Sequence, residues 1–210
     1  MIKVIVFDYD DTLVKSSEAL YSADSKTAIS LGLANPTREE YFALWGKPHI
    51  EMIKVLHPSI SQSQYLGQYK KIYDPSHLEL FSEVKPLLKK IAMKKIKIAV
   101  LSSKEKSFLE EHLRYAEISD YVEHIHSSES SKYKKPDPRV FEDIIKHFKT
   151  EPSEILYVGD QVADFKAASK AGLQFIAVTT GINNTDDFKR EGCTNIISSL
   201  KSLEKILNLD

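Results

Sequence analysis

From residue 83 onward, short apolar β-branched runs alternate with helix-length amphipathic segments, and few folds accommodate that pattern. Strands are expected over 96–101, 121–126, 155–158, 175–179 and 195–198. Helices are expected over 83–94, 104–115, 138–148, 161–171 and 199–207. An earlier run, Lys3-Val4-Ile5-Val6-Phe7, reads as one more buried strand. Strands and helices taking turns predict an α/β fold with a doubly wound parallel sheet covered on both faces.

Residues 16–80 interrupt the alternation. Leu20, Ala23, Thr27, Ala28 and Leu31 fall at helical spacing, and Gly32 follows as a stop. Thr37-Arg38-Glu39-Glu40 and Ser61-Gln62-Ser63-Gln64 read as capping boxes opening two further helices. Pro48 suits the first turn of another, which ends at His57-Pro58. The segment 16–80 is therefore expected to be a small helical unit inserted into a core made of 1–15 and 81–210.

The 210 residues suffice for that core and a small second unit, and the formal charge of −1 leaves no electrostatic footprint for nucleic acid or an anionic membrane. A single cysteine, Cys193, excludes an internal disulfide and a multi-cysteine zinc site. No apolar run approaches the roughly 18 residues of a spanning helix, and the first strand begins too early to leave room for a signal peptide. A soluble cytoplasmic monomer is the expectation.

In open α/β sheets ligands sit beyond the carboxyl ends of the strands, and the polar residues gather there. The first strand runs into Asp8-Tyr9-Asp10-Asp11. Two like charges at Asp8 and Asp10 repel unless a cation lies between them or one holds a proton. The alternative is an acidic turn that caps the next helix. Ser102 and Ser103 end the second strand and can hold a phosphate oxygen at a helix start, although Ser103 is equally well explained as an N-cap. Lys135 precedes Pro136, which restricts it to an extended conformation and can aim its ammonium at a fixed point. Its neighbours Lys132 and Lys134 read as solvated. Gly159-Asp160 closes a strand, and Asp164 follows Asp160 by one helical turn. Capping roles would explain Asp160 and Asp164 locally, but not why both acidic clusters end strands of one sheet. Carboxylates meeting there suit Mg²⁺.

Taken in order, Asp8-x-Asp10-x-Thr12, Ser102, Lys135 and Gly159-Asp160-x-x-x-Asp164 resemble the four motifs of the haloacid dehalogenase superfamily. The helical insert resembles that family's cap, and Leu44-Trp45-Gly46-Lys47-Pro48 with Lys135-Pro136-Asp137-Pro138 is similar to its phosphoglycolate phosphatase group. Asp11 stands where the family usually has Gly, Ser103 where it has Asn, and Lys15 where an acidic residue is common. The resemblance implies a Rossmann-like core and a Mg²⁺-dependent phosphomonoesterase. Asp8 would be the nucleophile forming an aspartyl-phosphate, and Asp10 the general acid and base. Ser102 and Lys135 would hold the phosphoryl group, with Ser103 beside them. The metal would be held by Asp8, the backbone carbonyl of Asp10, Asp160 and, through water, Asp164. Gly46 and Lys47, with His49 next to them, are the expected substrate contacts of the cap.

The substrate is then expected to be a small phosphorylated metabolite. A pyrophosphatase or a sugar phosphomutase on the same scaffold are the alternatives, with a non-catalytic binding protein a further one. A dehalogenase would need no metal and no second acid such as Asp10. The seven histidines show no metal-ligand spacing, and the aromatic residues of the insert are expected to form its core.

Overall fold

The computed structural model describes residues 1–209. β1 (Val4–Phe7) is followed by the two-residue β2 (Val14–Lys15), then by α1 (Ser17–Ser30), α2 (Arg38–Phe42), α3 (His49–Leu56) and α4 (Gln62–Ile72). β3 (Glu79–Leu80), α5 (Val84–Met93), β4 (Lys97–Leu101), α6 (Lys106–Tyr115), β5 (His124–His126) and α7 (Glu142–Phe148) come next. The chain ends with β6 (Ile155–Gly159), α8 (Val162–Lys170), β7 (Gln174–Val178), α9 (Thr185–Arg190), β8 (Ile196–Ile197) and α10 (Ser202–Ile206).

Six strands form one sheet in the order β5-β4-β1-β6-β7-β8, with every pairing parallel. Side-chain alternation along each strand divides the core in two. Ile5, Phe7, Ile98, Val100, Leu156 and Val158 pack with Leu87, Leu88 and Ile91 of α5 and Leu109 and Leu113 of α6. Val4, Val6, Ala99, Leu101, Ile155 and Tyr157 pack on the other face with Ile144 of α7, Ala167 and Ala168 of α8 and Phe188 of α9. Burying one such Leu or Ile contributes about 1.5–3 kcal/mol. β1 lies at the centre, where the connections turn to opposite sides of the sheet, and its carboxyl end is the place this topology offers to a ligand.

α1, α3 and α4 enclose a third apolar cluster of Ala23, Ile53, Tyr65 and Tyr69. Their capping follows the sequence in part. Thr37 and Glu40 complete a capping box, whereas Ser61 accepts from the Gln64 amide at 3.3 Å without the return bond of a full box. β2 pairs antiparallel with β3, and this two-residue ladder, unforeseen in the sequence, ties the chain leaving the sheet to the chain returning.

Other elements are shorter than the sequence pattern suggests. The strand expected over 121–126 keeps only His124–His126, because Ser119–Tyr121 winds into a 3-10 turn. The helix expected from 138 begins as a 3-10 turn, Pro138–Phe141, before α7. α6 starts two residues late because the Lys104 amide bonds the Ser102 hydroxyl at 3.1 Å. α9 is an addition, capped by Asn184, which accepts from the amides of Asp186 and Asp187. Cys193 is buried and free. No described helix is long and apolar enough to cross a membrane.

Candidate active site

The carboxyl ends of β1, β4 and β6 deliver their polar residues to one cavity, roofed by α1, the 41–49 segment and α4. Asp8, Asp10, Ser102, Ser103, Lys135, Gly46 and Lys47 all line it. The Asp8 amide still bonds the Val158 carbonyl at 2.9 Å, which continues the ladder and fixes where its side chain starts.

Lys135 is the centre of the buried charge. Its Nζ lies 2.7 Å from Asp8 Oδ1 and 2.6 Å from Asp164 Oδ1, and its side chain is 6% exposed. Burial alone would lower the Lys135 pKa, but the Asp164 and Asp8 charges outweigh it and the pKa is raised. The peptide between Lys135 and Pro136 is cis. Burial lifts the Asp8 carboxyl to about 7 against the opposing Lys135 charge. Burial and the nearby Asp8 and Asp164 carboxylates raise Asp160 well above the usual carboxylate range.

One oxygen each from Asp8, Asp160 and Asp164 lies within 4.8 Å of the others, and all three residues are buried. Three carboxylates share one ammonium here, so the group lacks positive charge. Asp160 shows where it is missing: Oδ1 accepts from the Thr12 hydroxyl at 3.2 Å, while the buried Oδ2 has no partner. An all-oxygen, anionic donor set with an orphaned oxygen fits a hard divalent cation such as Mg²⁺. Asp164 is held from two sides, by the Tyr157 hydroxyl at 2.8 Å and the Gln161 amide at 3.0 Å.

Asp10 stands apart from that trio. Its carboxylate lies 2.7 Å from Lys104 Nζ, and both side chains are largely buried. Ser102 is buried at the end of β4. Ser103 is not a helix cap: its hydroxyl donates to the Gly46 carbonyl at 2.7 Å, joining the sheet side of the cavity to the helical side. Gly46 has φ of 93°, and a Cβ there would meet Gln161 Oε1 at 2.2 Å. Lys47 lines the cavity but is exposed.

Sequence reasoning missed four contributors. Lys104 directly follows the serine pair, and the same strand-end rule that singled out Ser102 could have found it. Gly181, just after β7, lets the chain pass close to Asp160, since a Cβ there would lie 1.8 Å from Asp160 Oδ2. Tyr157 looked like core, and its hydroxyl is spoken for by the site. Asp24 carried no motif at all, being an acidic residue on an ordinary helix.

Known proteins agree with this arrangement in sequence and in backbone. Residues 5–178 match the model of the haloacid dehalogenase-like hydrolase family. A phosphoglycolate phosphatase of Nitrosospira multiformis is 27% identical over 217 residues, covering 98% of this chain and 96% of its own. A Clostridium perfringens protein with the provisional name pyrophosphatase PpaX is 28% identical over 188 residues, covering 88% and 86%. A solved Bacteroides fragilis structure, provisionally named a haloacid dehalogenase-like hydrolase, superposes with a TM-score of 0.84 at 27% identity, covering 97% of this chain and all of the other. With most of its length matched by that family's model, and its acidic strand ends gathered around one lysine, the chain belongs to the haloacid dehalogenase-like hydrolases.

Proposed function

We propose that this hydrolase is a phosphatase that cleaves a small phosphorylated metabolite through an aspartyl-phosphate on Asp8. The observation that carries this reading is the buried trio Asp8, Asp160 and Asp164 around Lys135, open to a cavity that Ser102 also lines. The similarity to a phosphoglycolate phosphatase over nearly the whole chain supports it.

In this reading residues 16–80 act as a cap over a core of 1–15 and 81–210. Asp8 attacks phosphorus, so that one hard displacement becomes two easier ones. Asp10 protonates the departing oxygen and then takes the proton from the water that hydrolyses the intermediate. Lys135 and Ser102 hold the phosphoryl oxygens as charge builds, and Ser103 keeps the cap loop against them. Mg²⁺ held by Asp8, Asp160 and Asp164, with the Asp10 carbonyl, would lessen the repulsion between the nucleophile and the phosphate dianion. The helical roof excludes bulk water from the reaction. The substrate enters as a free small molecule, and the protein acts as a monomer.

Phosphate release from a panel of phosphoesters and pyrophosphate, with and without Mg²⁺, tests this beside Asp8→Asn. Metal-dependent release that disappears in the variant is expected. Folded protein that releases no phosphate from any compound would sink the reading. Pyrophosphatase activity is the second reading, favoured by the similarity to the Clostridium perfringens protein. Pyrophosphate as the preferred compound of the panel would select it.

A further inference from the structure

Four tyrosines of the helical unit have engaged hydroxyls. Tyr21 donates to the Pro36 carbonyl at 3.1 Å, Tyr41 and Tyr65 donate to Asp24 at 2.7 and 3.0 Å, and Tyr73 donates to His112 Nε2. Tyr69 of α4 is the exception. It is 4% exposed and lines the cavity, yet among the described residues its hydroxyl has no partner. Its ring is held by Tyr73, stacked at 5.2 Å, and by His49 at 4.6 Å between centroids. Burial, reinforced by the Asp24 and Asp10 carboxylates, raises its pKa well above the ordinary tyrosine value, so the hydroxyl keeps its proton and can donate. Asp10 faces the departing oxygen in the phosphatase reading. A hydroxyl near enough to feel its charge therefore lies on the leaving-group side of the cavity.

His49, which opens α3 and lines the same cavity, supplies the opposite kind of group. Its Nε2 lies 2.8 Å from Asp24 Oδ1. A carboxylate can only accept, so the hydrogen of this bond sits on Nε2, and Nδ1 of the neutral ring is an acceptor. Among the described residues Nδ1 has no partner either. Two rings in contact thus leave one donor and one acceptor for whatever occupies the cavity. An alcohol hydroxyl satisfies both through a single atom. A carboxylate would leave Nδ1 unmatched, and an ammonium would leave the Tyr69 hydrogen unmatched.

Building on the phosphatase reading above, we propose that Tyr69 and His49 are specificity-determining residues that recognise a free hydroxyl on the leaving group, which makes the substrate the phosphate monoester of a polyhydroxy alcohol. Tyr69 donates to that hydroxyl, and His49 Nδ1 accepts from it. Asp24, supported by Tyr41 and Tyr65, is the positioning residue that sets the tautomer of His49.

The test compares glycerol 1-phosphate with n-propyl phosphate, which has the same carbon chain and no free hydroxyl. The wild-type enzyme should show a KM at least tenfold lower for glycerol 1-phosphate, the scale of two neutral hydrogen bonds. Tyr69→Phe keeps the ring contacts and removes only the hydroxyl. It should shrink the KM ratio between the two esters about fivefold, in KM and not in kcat. His49→Phe keeps an aromatic ring against Tyr69, removes the acceptor and should shrink the ratio similarly. If that variant does not fold, the wild-type ratio and Tyr69→Phe decide the matter. A ratio near one in the wild type, or a Tyr69→Phe effect equal on both esters, would overturn the assignment while leaving the phosphatase reading intact. A wild-type KM lower for 2-phosphoglycolate than for glycerol 1-phosphate would overturn it as well, since a carboxylate cannot donate to Nδ1. Absence of phosphate release from every ester of the wider panel would instead defeat the phosphatase reading itself.

Discussion

At Asp11 the backbone turns with φ of 54°, and the side chain reaches forward to the start of α1, where Oδ1 accepts from the amides of Ser16 at 2.9 Å and Ser17 at 3.1 Å. Asp tolerates the left-handed region better than most residues, which explains how a residue other than Gly holds this turn. Asp11→Ala should lose both the tolerance and the cap, at a cost of about 2 kcal/mol in urea unfolding. Asp11→Asn should retain most of the stability, and kcat should change little in either. Equal losses in the two variants would mean that the cap contributes nothing. The two sequence readings of the acidic turn therefore each describe a different carboxylate. Asp11 is the cap, whereas Asp8 and Asp10 face the cavity and take different lysines. Spacing alone had no means of dividing them, because the division depends on Lys135 and Lys104 arriving from loops distant in the sequence. Lys135 supports a second prediction. Lys135→Met leaves three buried carboxylates with no cation, and removing one partner of a buried ion pair costs about 3–5 kcal/mol. In metal-free buffer its melting temperature should fall well below that of the wild type, and added Mg²⁺ should raise it by more than it raises the wild type. Its kcat should drop by about a hundredfold or more. A wild-type melting temperature in metal-free buffer would refute the charge argument.

Among the elements, β7 illustrates how backbone placement serves a site without contributing a functional group. The turn after it brings Gly181 against Asp160, and a methyl group there has no room beside Oδ2. Gly181→Ala should push Asp160 aside, weakening Mg²⁺ affinity by tenfold or more with a matching loss of activity at limiting metal. Gly192, with φ of 88° and open space around its Cα, is the control. Gly192→Ala should cost about 1 kcal/mol of stability from backbone strain and leave metal affinity alone. Equal metal affinity in Gly181→Ala and the wild type would show that Asp160 can relax. The elements also mark where the sequence stops being legible. Runs of four consecutive apolar residues announced β4, β6 and β7, because burial on both faces leaves a continuous apolar pattern. β2 and β3 are two residues each and exist only because the chain leaves and re-enters the sheet side by side. No local propensity records that. The shortened β5 and the delayed α6 have the same origin, since the 119–121 turn and the Lys104 amide are governed by tertiary partners.

On the scale of the whole molecule, the helical roof and the sheet meet not only at the cavity mouth but also through a buried histidine. His112 of α6 is 2% exposed, receives the Tyr73 hydroxyl at Nε2 and lies against the Tyr9 ring. Tyr73 follows α4, so this contact links the two packing units. The strand-helix alternation announced both units, yet how they dock was not readable, because docking rests on single residues such as Tyr73, His112 and Ser103 that belong to no periodic pattern. Burial depresses the His112 pKa to about 3, the Lys104 charge adds to the effect, and Asp10 opposes it. In the unfolded chain the same imidazole titrates near 6.5. Between those values the unfolded state binds a proton that the folded state refuses, so His112 lowers stability as pH falls through this window. The slope approaches about 1.4 kcal/mol per pH unit, which amounts to about 2 kcal/mol between pH 7 and pH 5. His112→Gln removes the titration and keeps an acceptor for Tyr73. Other groups titrate in both proteins alike, so the difference between their unfolding curves isolates this one. Urea unfolding at pH 7 and pH 5 should show the wild type losing about 2 kcal/mol more than the variant. Parallel pH dependence in the two would mean that His112 takes up its proton in the folded state, and the roof and sheet would then have to separate there to admit water.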